Sequence, residues 1–207
     1  GPGIPGEEEQ VPTFEGDALL AVINMRGWPD HLQQLGRPHR CVVLARDPAE
    51  RIKSLYLYGR SGGEYWVRSA GIMTRLSGAN TTQESMEDFW QIMGKGHTIQ
   101  AHEYIKFNQG QGCAVIPYSG FKRNFNATVE DILGGWGIRR EHWPAIVAAC
   151  QKYDFGRWSA EQLRKDPHHS ASKFDPTLLT EVKEWIATTP QVQELVARQR
   201  KQVDYAR

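Results

Sequence analysis

The sequence predicts an α/β fold: a mainly parallel sheet flanked by helices, with a helical C-terminal third. Three observations carry that expectation. The run Cys41-Val42-Val43-Leu44-Ala45 is short, uncharged and rich in β-formers, as a buried strand is. A second run of the same kind, Cys113 to Pro117, follows Gly110-Gln111-Gly112. Each run leads into a helical stretch, and strands separated by helices favour parallel pairing with helices packed on the sheet.

Taken in order, residues 17–26 (Asp-Ala-Leu-Leu-Ala-Val-Ile-Asn-Met-Arg) read as a buried strand, or as a helix end entering one. Pro29 to Gly36 reads as a short helix closed by its glycine. The strand over 40–45 runs into Arg46-Asp47-Pro48, where Asp47 suits an N-cap and Pro48 the first helical turn. Glu50, three residues after the cap, has the spacing of a capping box, and the helix is expected to reach about Tyr58. Gly59 to Gly63 reads as a flexible break. Residues 64–76 read as helical and Ser77 to Thr82 as a polar turn. Ser85 to Phe107 forms one or two helices with Met86, Phe89, Trp90 and Met93 on one face. After the second strand, a helix over Ala127 to Leu133 ends at Gly134-Gly135. Further helices are expected over Glu141–Lys152, Ser159–Lys165, Thr180–Ile186 and Val192–Lys201.

Composition narrows the function classes. The chain has 207 residues, 40% hydrophobic and 24% charged, with a net charge of +1. That length suits a single domain over 11–207 behind a solvated or tag-like lead-in over 1–10. So small a net charge supplies no field for bulk binding of nucleic acid or anionic membrane. No apolar run approaches the roughly 20 residues of a membrane span. The cysteines Cys41, Cys113 and Cys150 are far apart and odd in number. They read as buried thiols in a reducing, cytoplasmic compartment, without metal-ligand spacing.

The junction after the first strand carries the chemistry. It offers a helix start with its unpaired N–H groups, a guanidinium at Arg46 and a hydroxyl at Ser54, eight residues after that arginine. Those are the parts of a phosphate site. The same residues also suit a well-capped junction whose arginine pairs with a carboxylate, or another phosphate-binding α/β domain of kinase-like type.

Arg46, Asp47, Pro48, Ser54, Tyr56 and Tyr58 match in register the 3′-phosphate-binding motif of the sulfotransferases, and the segment resembles that family. The family moves a sulfuryl group from 3′-phosphoadenosine 5′-phosphosulfate (PAPS) to a hydroxyl or amine, leaving the 3′,5′-bisphosphate PAP. The pair Glu50-Arg51 resembles the carbohydrate and Asp-Pro-x-Glu-Arg branches of the family more than the small-phenol branch. A second stretch is similar in order: Val115-Ile116-Pro117-Tyr118, then Val129 to Ile138, although Ser119 and Gly120 stand where the family has an acidic pair. The resemblance extends over residues 40–165. It implies the P-loop NTPase-like sulfotransferase fold, with PAPS or PAP as cofactor held through its 3′-phosphate by Arg46 and Ser54. A small-molecule or carbohydrate acceptor is implied too. Tyr118 would stack on adenine or serve as a core aromatic, with Lys122 and Arg123 beyond it.

Other parts of the family pattern are missing or faint. Its phosphosulfate loop, strand–Lys-x-Gly-Thr-Thr–helix, has one near match in Gly94-Lys95-Gly96-His97-Thr98, which reads better as a helix end. The site would then be completed by a second chain or a missing N-terminal segment, or be built differently in a branch of the family. Alternatively the chain is a non-catalytic module for nucleotide sensing or protein interaction. His31 is the candidate catalytic base, against a surface role on its short helix. Trp66 and Trp90 are candidates for an acceptor pocket, and His168-His169 lacks a third metal ligand. The family's C-terminal Arg-Lys-Gly has only an echo in Arg200-Lys201-Gln202.

Overall fold

The computed structural model describes residues 40–62, 65–165 and 173–205. The chain divides after His39 into two units, and the described residues belong to the second, Arg40–Arg207. The expected elements at 17–26 and 29–36, His31 among them, lie outside the described residues, as do His168 and His169.

Strand β1 (Val42–Ala45) runs into helix α1 (Pro48–Ser61). Asp47 caps α1: its carboxylate accepts from the backbone N–H groups of Ala49 at 2.9 Å and Glu50 at 3.3 Å. The expected capping box does not form, because Lys53 Nζ takes both Glu50 oxygens, at 2.6 and 2.8 Å. Nor does the helix break at Gly59. That residue lies against Leu76 and Ile72, a close approach that its bare backbone permits, and α1 ends at Gly62, in the left-handed region at φ 61°.

Helices α2 (Tyr65–Ser69) and α3 (Ile72–Gly78) follow, then α4 (Thr82–Phe89), capped by Thr81. A π-helical turn, Trp90–Gly94, joins α4 to α5 (Lys95–Gly110). Strand β2 (Ala114–Pro117) leads to α6 (Ser119–Arg123) and α7 (Phe125–Trp136). Beyond these come α8 (Trp143–Cys150), α9 (Ala160–Lys165), α10 (Pro176–Thr188) and α11 (Pro190–Gln202). Helix α7 passes through Gly134-Gly135 and stops at Gly137 instead. Gly135 allows it to close on the strands, where an added Cβ would stand 2.7 Å from Val42 and 3.2 Å from Ala114.

The mainly parallel sheet expected from the sequence does not form. The described residues are 77% helical, and the sheet among them has two parallel strands, so the P-loop sulfotransferase fold is not what they adopt. The reason lies in what the helices bury. Ile52, Tyr56 and Leu57 of α1 pack with Leu76, with Met86, Phe89, Trp90 and Met93, and with Val182, Trp185, Val192 and Leu195 of the last two helices. This is a helix-on-helix core, and two four-residue strands offer too little apolar face to organise it. The strands serve a smaller core of Val43, Ala45, Ile105, Cys113, Val203 and Tyr205.

The register pairs Val42 with Ala114 and Ala45 with Pro117. One step before it, Cys41 and Cys113 meet and are joined as a disulfide. The expectation of buried thiols in place of a disulfide is therefore corrected: Cys150 alone is free. The inference of a reducing, cytoplasmic compartment rested on those thiols and loses that support. No described helix is long and apolar enough to cross a membrane.

Candidate functional site at the carboxyl ends of the strands

Parallel strands bring their carboxyl ends to one side, and that side is where ligands gather in open α/β sheets. Here β1 ends at Ala45 and β2 at Pro117, paired in register, and the Tyr118 N–H donates to Ala45 O at 2.8 Å. Arg46 and Tyr118 thereby become neighbours. The Arg46 guanidinium lies over the Tyr118 ring, 5.1 Å from its centre, while Phe121 meets the same ring edge-on.

Arg46 forms no ion pair with a carboxylate among the described residues, contrary to the plainest reading of a capped junction, although its charge reaches Glu50. The carboxylate of the junction, Asp47, is taken by Arg200, whose Nε and Nη2 reach its two oxygens at 2.7 and 2.9 Å. Burial alone would push the Asp47 carboxyl up. The Arg200 hydrogen bonds and charge, with the two backbone N–H groups, hold it below its ordinary value.

Arg51, one turn into α1, anchors the turn from within. Its Nη2 donates to Arg46 O at 2.8 Å and its Nη1 to Thr98 O at 3.4 Å. Burial lowers its affinity for the proton, against which the Tyr205 hydroxyl and Asp47 favour the charged form. Tyr205 OH also meets Nδ1 of the buried His102 at 2.8 Å, and His102 Nε2 meets Gln202 Oε1 at 2.7 Å. Segment 199–205 thus fastens to α1 and α5 together, and a cavity of about 330 Å³ opens between it and Asp47.

Ser54 stands on the face of α1 that carries Asp47, Glu50 and Arg51, since i, i+3 or i+4 and i+7 share a face. Its hydroxyl has no hydrogen-bond partner among the described residues. Glu50 lies between the two candidate ligands in sequence and faces positive charge. Burial would raise its carboxyl, but Lys53, Lys122 and Arg46 together hold it low.

The structure therefore brings Arg46, Tyr118 and Lys122 to one end of the sheet and places Ser54 two turns along α1 from it. It also corrects part of the phosphate reading. The first N–H groups of α1 are satisfied by Asp47, so an anion here meets side chains rather than a bare helix end. Gly94-Lys95-Gly96-His97-Thr98 is the junction of a π-turn and a helix, with Thr98 Oγ donating to Gly94 O, and makes no phosphate loop. Trp90 is buried, with its ring edge-on to that of Trp185, and the Trp66 side chain is outside what is described. Arg200, only an echo in the sequence, proves to be at the junction. Its partner lies 153 residues away, and no local spacing announces such a contact.

Among the described residues no group of three or more His, Cys, Asp or Glu side chains could hold a metal ion. Comparison of the chain with protein-family models, with curated proteins and with solved structures returns no match.

Proposed function

We propose that the carboxyl end of the β1–β2 pair binds the 3′-phosphate of PAPS or PAP, in the service of sulfuryl transfer to an acceptor hydroxyl or amine. The observation that carries this reading is the state of Arg46. Arg51 clamps the Arg46 backbone carbonyl, while the Arg46 guanidinium rests on an aromatic face and forms no ion pair among the described residues, its charge reaching Glu50 without contact. A guanidinium so held presents its N–H fork to an incoming phosphate. Ser54 adds a hydroxyl without a partner, and Tyr118 an aromatic surface beside the arginine.

Transfer requires further groups, one set to hold the 5′-phosphosulfate and one to take the acceptor's proton. In this reading they come from a second chain or a further segment. Among the described residues each strand has a single strand neighbour. The second reading is a module that senses the nucleotide without transferring sulfate. It is favoured by the helical state of Gly94 to Thr98, which leaves the described residues without a phosphosulfate loop.

Calorimetric titration with PAP and with 5′-AMP tests the site. Release of PAP from PAPS in the presence of small hydroxyl, amine and carbohydrate acceptors then separates transfer from sensing.

A further inference from the structure

Arg46 and Ser54 are eight residues apart, and the residue midway between them is Glu50, four from each. Glu50 and Ser54 are four apart on α1 and share a face, while Arg46 stands on the turn before the Asp47 cap and its charge reaches the Glu50 carboxylate, which therefore lies between the two candidate ligands. That carboxylate is the acceptor for Lys53 Nζ, at 2.6 and 2.8 Å. The lysine side chain is only 15% exposed, while that of Glu50 is 43% exposed. A packed stem therefore fixes the ammonium, and its present anion lies on the solvent side. Lys122, on α6 just past the end of β2, and Arg46 add their charge to the same carboxylate. One cation, Lys53, thus pairs with this carboxylate, and the charges of two more reach it.

We infer that Glu50 is a built-in competitor, a carboxylate that occupies the anion site over Lys53 and that a phosphate of the ligand displaces. Lys53 is then a ligand-binding residue that becomes available when Glu50 swings away. The inference rests on the phosphate reading of the Arg46–Ser54 face and adds a gate and a further cation to it. Displacement costs the ligand one ion pair and leaves two like charges near each other. Affinity is accordingly held down, and the site discriminates in favour of a dianionic phosphate, which can replace both oxygens that Lys53 now holds.

The test is titration of the full chain with PAP and with 5′-AMP, using Glu50→Gln, Lys53→Met and the double variant, each checked by circular dichroism and thermal melting. Glu50→Gln keeps the shape and removes the charge, so it is expected to tighten PAP binding about tenfold. Lys53→Met is expected to weaken PAP binding and to abolish the gain in the double variant. An ordinary helix ion pair would shift the melting temperature of both variants and leave the PAP affinity within twofold. That result, with wild-type binding of PAP still dependent on Arg46, would overturn the gate and leave the phosphate site standing. An equal gain for PAP and 5′-AMP would overturn it as well, by removing Glu50 from the 3′-phosphate. Absence of PAP binding in both the wild type and Glu50→Gln would overturn the gate and the site together.

Discussion

Arg200 grips Asp47 through two hydrogen bonds of 2.7 and 2.9 Å, although the residues are 153 positions apart. One carboxylate thus does two things. It caps α1 and it fastens the last helix to the strand–helix junction, leaving Arg46 out of any pairing with it.

That double use has a pH signature. The folded Asp47 carboxyl lies below its ordinary 3.8, so the contact stabilises the protein above that value and is lost as pH falls through the folded value. Arg200 is about half exposed, so Arg200→Ala is expected to cost about 1 kcal/mol at pH 7. The cost should shrink toward zero in acid. Urea unfolding of wild type and variant from neutral pH down to about pH 2 measures the difference, and a gap that stays constant throughout would contradict the pairing. Asp47→Ala should cost about 1 kcal/mol more than Arg200→Ala, since the cap goes as well.

Tyr205 ties the chain end to the interior. Its hydroxyl serves Arg51 and the buried His102, so Tyr205→Phe strands polar groups at both. The expected loss is about 1–3 kcal/mol by thermal or chemical unfolding. Release of Arg51 should also loosen its hold on Arg46 O, read as weaker PAP binding. Unchanged PAP affinity would show that Arg46 is oriented without this chain of contacts.

The Cys41–Cys113 bridge closes a loop of 72 residues at the amino ends of both strands. Loop-closure arguments put its contribution at about 4 kcal/mol, or less where the reduced chain retains structure. Thiol titration of the unreduced, denatured protein should find one reactive cysteine, Cys150, and three after reduction. Dithiothreitol should lower the unfolding midpoint. Three thiols without reductant would contradict the pairing.

Much of the local structure was legible in the sequence. Asp47 and Pro48 announced the start of α1, and the spacing of Met86, Phe89, Trp90 and Met93 announced a buried face, which the structure shows. Both short strands were legible as well. What the sequence did not reveal was the partner of each element. Helical periodicity is the same whether a face packs on a sheet or on another helix, so the resemblance at Arg46 to Ser54 suggested a larger sheet than forms. Contacts made by strand register or by a distant helix, Cys41 with Cys113 and Asp47 with Arg200, leave no trace in local spacing. Glu50 fitted a capping box in sequence, yet Lys53 outcompeted the backbone for it, because an ammonium bonds a carboxylate more strongly than an amide does.

The most direct measurement is calorimetric titration of the protein with PAP and with 5′-AMP, repeated on Arg46→Ala and Ser54→Ala. The account predicts that PAP binds, that 5′-AMP binds far more weakly, and that Arg46→Ala lowers PAP affinity at least tenfold, about 1.4 kcal/mol or more. Ser54→Ala should lower it by a smaller factor. Equal affinity for the two nucleotides, or PAP binding untouched in Arg46→Ala, would contradict a 3′-phosphate site at the end of β1.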